Sequence, residues 1–249
     1  MSASKNPDWL LISDVDNTLF GDDRALERFT DVARIESNFT FVLNSSRPIA
    51  SILKTLQTAP DGFEPAAIIG AMGTEIQVRG TDLSDWAAPK QSWSRKPFDR
   101  LMADLGFTPH DDEFQTDLKA SFCVPRPQVE QVADALERQK LPARLIFSGD
   151  SDLDILPPGF GKGRASLFVT AHLGHSADRL IVSGDSANDL DMFESADRGI
   201  IVGNGSTDLR QRVDPNRTYF ARKTHADGVL EGLAHWGALQ QTTLESFSP

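Results

Sequence analysis

The sequence predicts an α/β protein whose parallel sheet and crossover helices are interrupted by an inserted α+β layer. Short apolar runs alternate with helix-like segments through the first part of the chain, and the same rhythm returns after Gly161. Between Asp85 and Pro157 the order changes, with polar, tryptophan-bearing sequence leading into strands and helices of another arrangement. The expected division is residues 1–84 for the first part of the core, 85–157 for the inserted layer and 158–249 for the rest of the core.

Taken in order, WLLIS reads as a buried strand. DDRALERFTDVARIE sets Leu26, Phe29, Val32 and Ala33 at helical spacing. FTFVLN (Phe39–Asn44) is a second strand, PIASILKTLQ a helix with Pro48 at its start, and AAIIG (Ala66–Gly70) a third strand. GTEIQV has the look of a hairpin strand. Within the insertion, FDRLMADL is amphipathic, LKASFCV a strand, QVEQVADALERQK a helix, and ARLIFS and LDILP two further strands, together an antiparallel sheet covered on one side by helices. The core resumes with the helix GRASLFVTAHLG, the strand RLIVSG, the helix NDLDMFESA and the strand GIIVG.

The chain has 249 residues with ordinary proportions of hydrophobic (39%) and charged (24%) side chains, enough for a real core. A net charge of −11 argues against broad binding to nucleic acid or anionic membrane, which calls for a basic surface. The single cysteine, Cys123, excludes an intrachain disulfide and is expected to be a buried strand residue. The first apolar run is too short for a signal peptide or membrane span, so a cytoplasmic protein is expected. The five histidines have no ligand spacing.

In open parallel sheets ligands collect beyond the carboxyl ends of the strands. Four such ends carry suggestive polar residues: Asp14 and Asp16, Ser45, the segment Gly70–Glu75, and Asp185 with Asp189. In extended chain, residues two apart share a face, so Asp14 and Asp16 approach one point. Two carboxylates held close call for a cation or a proton between them. One can act as a nucleophile toward phosphorus while its neighbour moves protons. DVDNT alone also fits an ordinary acidic turn, and Ser186 or Asp185 also fits a helix cap. Ser45 offers a hydroxyl to a phosphate oxygen or simply belongs to the turn NSSRP. Lys162, in a glycine-rich lead into a helix, can bring an ammonium to phosphate and to Asp14.

DVDNT, the Ser45 strand end, Lys162 and GDSAND stand in the order of the motifs of haloacid dehalogenase superfamily phosphatases, which the chain resembles over nearly its whole length. More narrowly, AMGTEI, DLKASF, ARLIFSGDSDLDILP, GKGRA, VSGDSANDLDMFE, GIIVGN and ADGVLEGLAHWG resemble the sucrose-phosphatase and mannosylfructose-phosphate phosphatase family. The resemblance implies a Rossmann-like core with an α+β cap domain inserted between the second and third motifs. It implies a phosphatase with Asp14 as nucleophile, Asp16 as general acid and base, and Ser45 and Lys162 on the phosphoryl oxygens. It implies Mg2+ on Asp14, the carbonyl of Asp16 and Asp185, with Asn188 and Asp189 in support. The substrate implied is a sugar phosphate, sucrose 6-phosphate or mannosylfructose phosphate, and the synthase that supplies it is an implied partner. Ser46 departs from the glycine frequent in the second motif, which alters how closely that loop approaches the sugar.

Candidates for the sugar are Ser46, Arg47, Gly73, Thr74 and Glu75 from the core, and Lys119 and Asp152 from the cap. For Glu75 a solvated hairpin position is the competing reading, and Lys119 also reads as an exposed strand lysine. Ser148, Asp150 and Asp152 either face the site or end a hairpin. Trp86 and Trp93 suit interdomain packing better than sugar stacking.

Overall fold

The run WLLIS becomes β1 (Trp9–Ser13), every residue of it buried, as expected of a strand covered on both faces. The computed structural model describes residues 8–83, 86 and 93–239. After β1 come α1 (Asp23–Ile35), β2 (Phe39–Asn44), α2 (Ile49–Leu56) and β3 (Ala67–Gly70). Then follow β4 (Glu75–Val78) and β5 (Thr81–Asp82). Asp22 caps α1, its carboxylate accepting the Ala25 N–H at 3.0 Å. The inserted part holds α3 (Lys96–Asp104), β6 (Thr108–Pro109), β7 (Ala120–Cys123), α4 (Val129–Arg138), β8 (Arg144–Ser148) and β9 (Asp152–Leu156). The chain then continues through α5 (Lys162–His172), β10 (Leu180–Gly184), α6 (Leu190–Ser195), β11 (Gly199–Ile201), α7 (Thr207–Arg212), β12 (Thr218–Phe220) and α8 (His225–His235).

The larger sheet runs β12-β11-β10-β1-β2-β3-β4-β5, parallel from β12 to β3 and closed by the antiparallel β4 and β5. Period-two alternation divides its side chains between two cores. Trp9 and Leu11 pack with Phe29, Val229 and Leu233 beneath α1 and α8, while Leu10 and Ile12 pack with Ala165, Val169 and Met192 beneath α5 and α6. The result is a sheet with helices on both faces.

The smaller sheet, β6-β7-β9-β8, is antiparallel throughout and has its own core. Phe122 and Leu153 pair across β7 and β9 and pack with Phe98 and Met102 of α3 and Val132 and Leu136 of α4. The alternate positions, Ser121 opposite Asp154, lie on the other face. This is the one-sided helical cover expected of the insertion. The expected boundary at residues 84 and 85 lies outside the described residues.

Cys123 is exposed, not buried as expected. It shares Ser121's side of β7, away from the helices, and sits at the strand end opposite Thr108 and Asp152. Three elements near the C-terminus were not predicted: α7, β12 and α8. Among the described residues, no helix is long and apolar enough to cross a membrane.

Candidate active site

The order of the large sheet reverses at β1: β2 and β3 lie on one side, β10 to β12 on the other. A crevice opens beyond the carboxyl end of such a switch strand. Asp14 is the first residue past it, its N–H donating to the Ser183 carbonyl of β10 at 2.9 Å. Asn17 takes a left-handed φ of 61°, turning the chain back after Asp16.

Asp14 is 5% exposed and its Oδ1 lies 2.6 Å from the Nζ of Lys162, a side chain with no exposure at all. The same ammonium is 2.6 Å from Asp189 Oδ1. Lys162 is the first residue of α5, and the Asn44 amide at the end of β2 fixes that turn by donating to the Lys162 carbonyl at 3.1 Å. The glycine-rich lead is packed tight. A Cβ on Gly73, whose φ is 84°, would collide with the Gly161 carbonyl.

Asp185 follows β10 and accepts the Thr18 hydroxyl at 3.3 Å. Asp189 accepts the N–H groups of Asp185 at 3.0 Å and Ser186 at 3.2 Å, one arm of a capping box with Ser186. Carboxylate oxygens of Asp14, Asp185 and Asp189 lie within 4.8 Å of one another, a buried acidic triad able to hold a metal. Burial, then the nearby Asp14 and Asp189, push Asp185 up to about 8. Burial likewise raises Asp189 to about 6 against the pull of Lys162, and raises Asp14, again opposed by Lys162. Burial alone would lower Lys162, but Asp14 and Asp189 reverse this and hold it charged well above its ordinary range. One ammonium thus faces three carboxylates.

The second motif forms the adjoining wall. Ser45 is buried and its Oγ accepts the Arg47 N–H at 3.1 Å. Arg47 Nε lies 2.9 Å from Asp16 Oδ2, and its Nη1 donates to Thr55 Oγ1 at 2.9 Å. Behind this loop, Ala71, Met72 and Gly73 all have left-handed φ of 47°, 58° and 84°. Such a turn is strained and persists only where its surroundings hold it. Here the Ala71 N–H donates to the Arg47 carbonyl at 2.7 Å and the Met72 N–H to the Ser45 carbonyl at 3.1 Å.

A cavity of about 690 Å³ lies between the two sheets. The core contributes Asp14, Asp16, Ser46, Arg47, Asp185 and Asn188; the inserted sheet contributes Lys119, Ser121, Ser148, Asp150, Asp152 and Asp154. Ser45 and Lys162, the residues that the family resemblance puts on phosphate, are buried and do not line it. Lys119 is not an exposed strand lysine: it is 2% exposed, its Nζ 2.9 Å from Asp154 Oδ1 and hydrogen-bonded to Ser121. Asp152 pairs with His110 Nε2 at 3.1 Å.

Thr74 and Glu75 lie elsewhere, in a groove with Ile49, Leu53 and Gln77. The Glu75 carboxylate accepts the Ile49 N–H at 2.8 Å, occupying the start of α2, and Thr74 donates to the Ala71 carbonyl. Gly73 serves the close approach to Gly161. Trp86 packs on Phe168 at 4.5 Å and donates its indole N–H to the Gly73 carbonyl, while Trp93 stacks on Phe98 at 4.7 Å. Ser121 and Asp154 went unread as site residues. Their signal was polar residues at period two, Lys119 with Ser121 and Asp152 with Asp154, in strands otherwise apolar.

A buried aspartate at the head of the switch strand, held by a lysine against an acidic turn, belongs to the phosphatases of the haloacid dehalogenase superfamily, and the chain is a phosphoric monoester hydrolase of that class. Within it, the chain belongs to the sucrose-6F-phosphate phosphohydrolase family, whose model matches residues 7–237. Mannosylfructose-phosphate phosphatase of Agrobacterium fabrum is 33% identical over 240 residues, covering 92% of this chain and 96% of that protein. Sucrose-phosphatase 1 of Nicotiana tabacum is 27% identical over 91% of this chain, which spans only 59% of the tobacco protein. The structure of the Synechocystis sp. PCC6803 sucrose-phosphatase, solved with sucrose and phosphate, superposes with a TM-score of 0.84 at 31% identity, covering 93% of this chain and 98% of that one.

Proposed function

We propose that this chain is an Mg2+-dependent phosphatase acting on a fructosyl-disaccharide phosphate, sucrose 6-phosphate first. One observation carries the reading: Asp14, ion-paired to Lys162, opens into a cavity whose facing wall is the polar side of the inserted sheet. The second reading, mannosylfructose phosphate, is favoured by the similarity that extends over 96% of the Agrobacterium fabrum protein.

In this reading the Asp14 carboxylate attacks phosphorus, and the bond from phosphorus to the sugar oxygen breaks to leave an aspartyl-phosphate. Asp16, half exposed and tethered by Arg47, gives its proton to the departing alkoxide. The same carboxylate then takes a proton from the water that cleaves the aspartyl-phosphate, restoring both residues. Lys162 and Ser45 hold the phosphoryl oxygens. The acidic triad suits a hard divalent cation: its donors are all carboxylate oxygens, and burial, joined by the charges of Asp14 and Asp189, is what raises Asp185. Asp14, Asp185 and the carbonyl of Asp16 would hold Mg2+, supported by Asn188 and Asp189. When bound, it offsets the negative charge of the phosphoryl group.

The division into core (1–84 and 158–249) and specificity cap (85–157) belongs to the same proposal. Lys119 and Asp152 would meet the sugar from the cap, and Ser46 and Arg47 from the core. Cytoplasmic residence is proposed on the single cysteine of the sequence, and contact with the substrate-supplying synthase is to be sought by co-purification. The decisive experiment is phosphate release over a panel of sugar phosphates, with magnesium and with a chelator. Highest kcat/KM on sucrose 6-phosphate, abolished by chelation and by Asp14→Asn in a folded variant, is expected. Near-normal turnover by Asp14→Asn would sink the mechanism, and preference for a monosaccharide phosphate would sink the substrate assignment.

A further inference from the structure

Lys162 reaches Asp14 from the first turn of α5, and that turn is gripped from the inserted sheet as well as from the core. Arg144 opens β8 and extends across to the core. Its Nη1 donates to the Phe160 carbonyl at 2.7 Å, and its Nη2 lies 3.1 Å from the Asp191 carboxylate on α6. Asp191 is deeply set, its side chain 12% exposed, and the Arg144 ion pair is the foremost of the groups that compensate its burial, ahead of the Gly163 N–H and the charge of Lys162. Gly161 lies in the fork: a Cβ there would collide with both the Arg144 guanidinium and the Asp191 carboxylate. Gly163 is pressed against the Asp191 backbone in the same way. Between those two glycines stands Lys162.

We propose that Arg144 is a positioning residue for the reaction: its guanidinium clamps the Phe160–Gly161 turn against Asp191 and thereby sets the Lys162 ammonium on Asp14. This rests on the reading of Asp14 and Lys162 as the reacting pair. Arg144 is not among the residues that line the Asp14 cavity; it lines an adjoining groove with Asp191 and Glu194, so its assigned part is positioning rather than contact. Planar fork geometry is what the arrangement uses, since one guanidinium satisfies a carbonyl and a carboxylate in different directions. Because the arginine belongs to the inserted sheet, the seat of that sheet on the core and the place of the catalytic ammonium are one mechanical unit.

The test is steady-state kinetics of Arg144→Met and Arg144→Lys on p-nitrophenyl phosphate and on the sugar phosphate, with melting curves of each variant. A displacement of about 1 Å in a reacting group costs on the order of a hundredfold in rate. The expected result is a fall in kcat of about ten- to a hundredfold on both substrates for Arg144→Met, with KM moved less than about threefold. Arg144→Lys should recover part of the loss, keeping the ion pair to Asp191 but not the second contact. A folded Arg144→Met with kcat within about twofold of the parent overturns the proposal, as does a loss that falls on KM alone. Should Arg144→Met fail to fold, unchanged kcat in Arg144→Lys overturns it instead. A parent enzyme that cleaves the aryl phosphate but no sugar phosphate would refute the disaccharide reading and leave the Arg144 comparison intact.

Discussion

Replacing Asp185 with asparagine should make the metal-free protein more stable while removing its response to magnesium. The carboxyl is held at about 8 against an ordinary value of 3.8, first by burial and then by Asp14 and Asp189. Between those two values the folded chain binds more protons than the unfolded one, so stability falls as pH rises from 4 toward 8. At pH 7 the group has crossed about 3 pH units of that interval, and at about 1.36 kcal/mol per unit the cost is about 4 kcal/mol. The three acids share one lysine and titrate together, so Asp185 alone carries about 2–4 kcal/mol of it. Unfolding entropy near 2.1 cal/mol/K per residue makes this a gain of about 4–8 °C in Tm for a chain of this length. The assay is a thermal melt of both proteins in chelator and in magnesium, at pH 5 and pH 7. The gain should shrink at pH 5, which lies only about 1 pH unit above the ordinary value, so that keeping the folded carboxyl protonated costs correspondingly less. A variant that melts lower than the parent in chelator at pH 7, or that magnesium stabilises as strongly as the parent, would refute the reasoning.

Two other substitutions test the surroundings. Lys119→Met strands the Asp154 carboxylate on the cavity wall and should lower kcat/KM for the disaccharide phosphate about tenfold or more while changing p-nitrophenyl phosphate hydrolysis little. Equal losses on both would remove Lys119 from sugar recognition. Gly73→Ala forces a side chain into a left-handed residue against the Gly161 carbonyl and should cost about 2–3 kcal/mol, seen as a lower denaturation midpoint. An unchanged midpoint would mean that the turn relaxes freely.

The central strands were readable because a parallel strand covered on both faces must be apolar, and β1, β2, β3 and β10 are. At the C-terminal end that rule has little to act on. β12 is three residues long, and α8 contains Gly228 and Gly232, poor helix formers. Their reason lies in the tertiary fold: a Cβ on Gly232 would collide with Ile200, so the glycine lets α8 approach β11. The motif residues were found because strand ends converge at the switch point, but their burial was not. Lys119 read as a sugar ligand or an exposed strand lysine, and its buried ion pair was not legible because its partner, Asp154, stands 35 residues further on. Glu75 read as a sugar ligand or a solvated residue, and only the packing of α2 beside β4 reveals the Ile49 N–H that it serves. Local pattern identifies the chemistry present at a position; which neighbour neutralises it is a long-range fact.

The separation of cores has a consequence for how such enzymes change. Every buried side chain of the third core lies between Phe98 and Ile155, in one uninterrupted stretch of chain, and none is shared with the two cores of the large sheet. That stretch can be exchanged with a relative's as a block, bringing its own interior with it. Recombination can therefore trade the wall that faces the sugar while the Asp14–Lys162 pair stays where it is, provided that the incoming strand supplies an arginine where Arg144 stands.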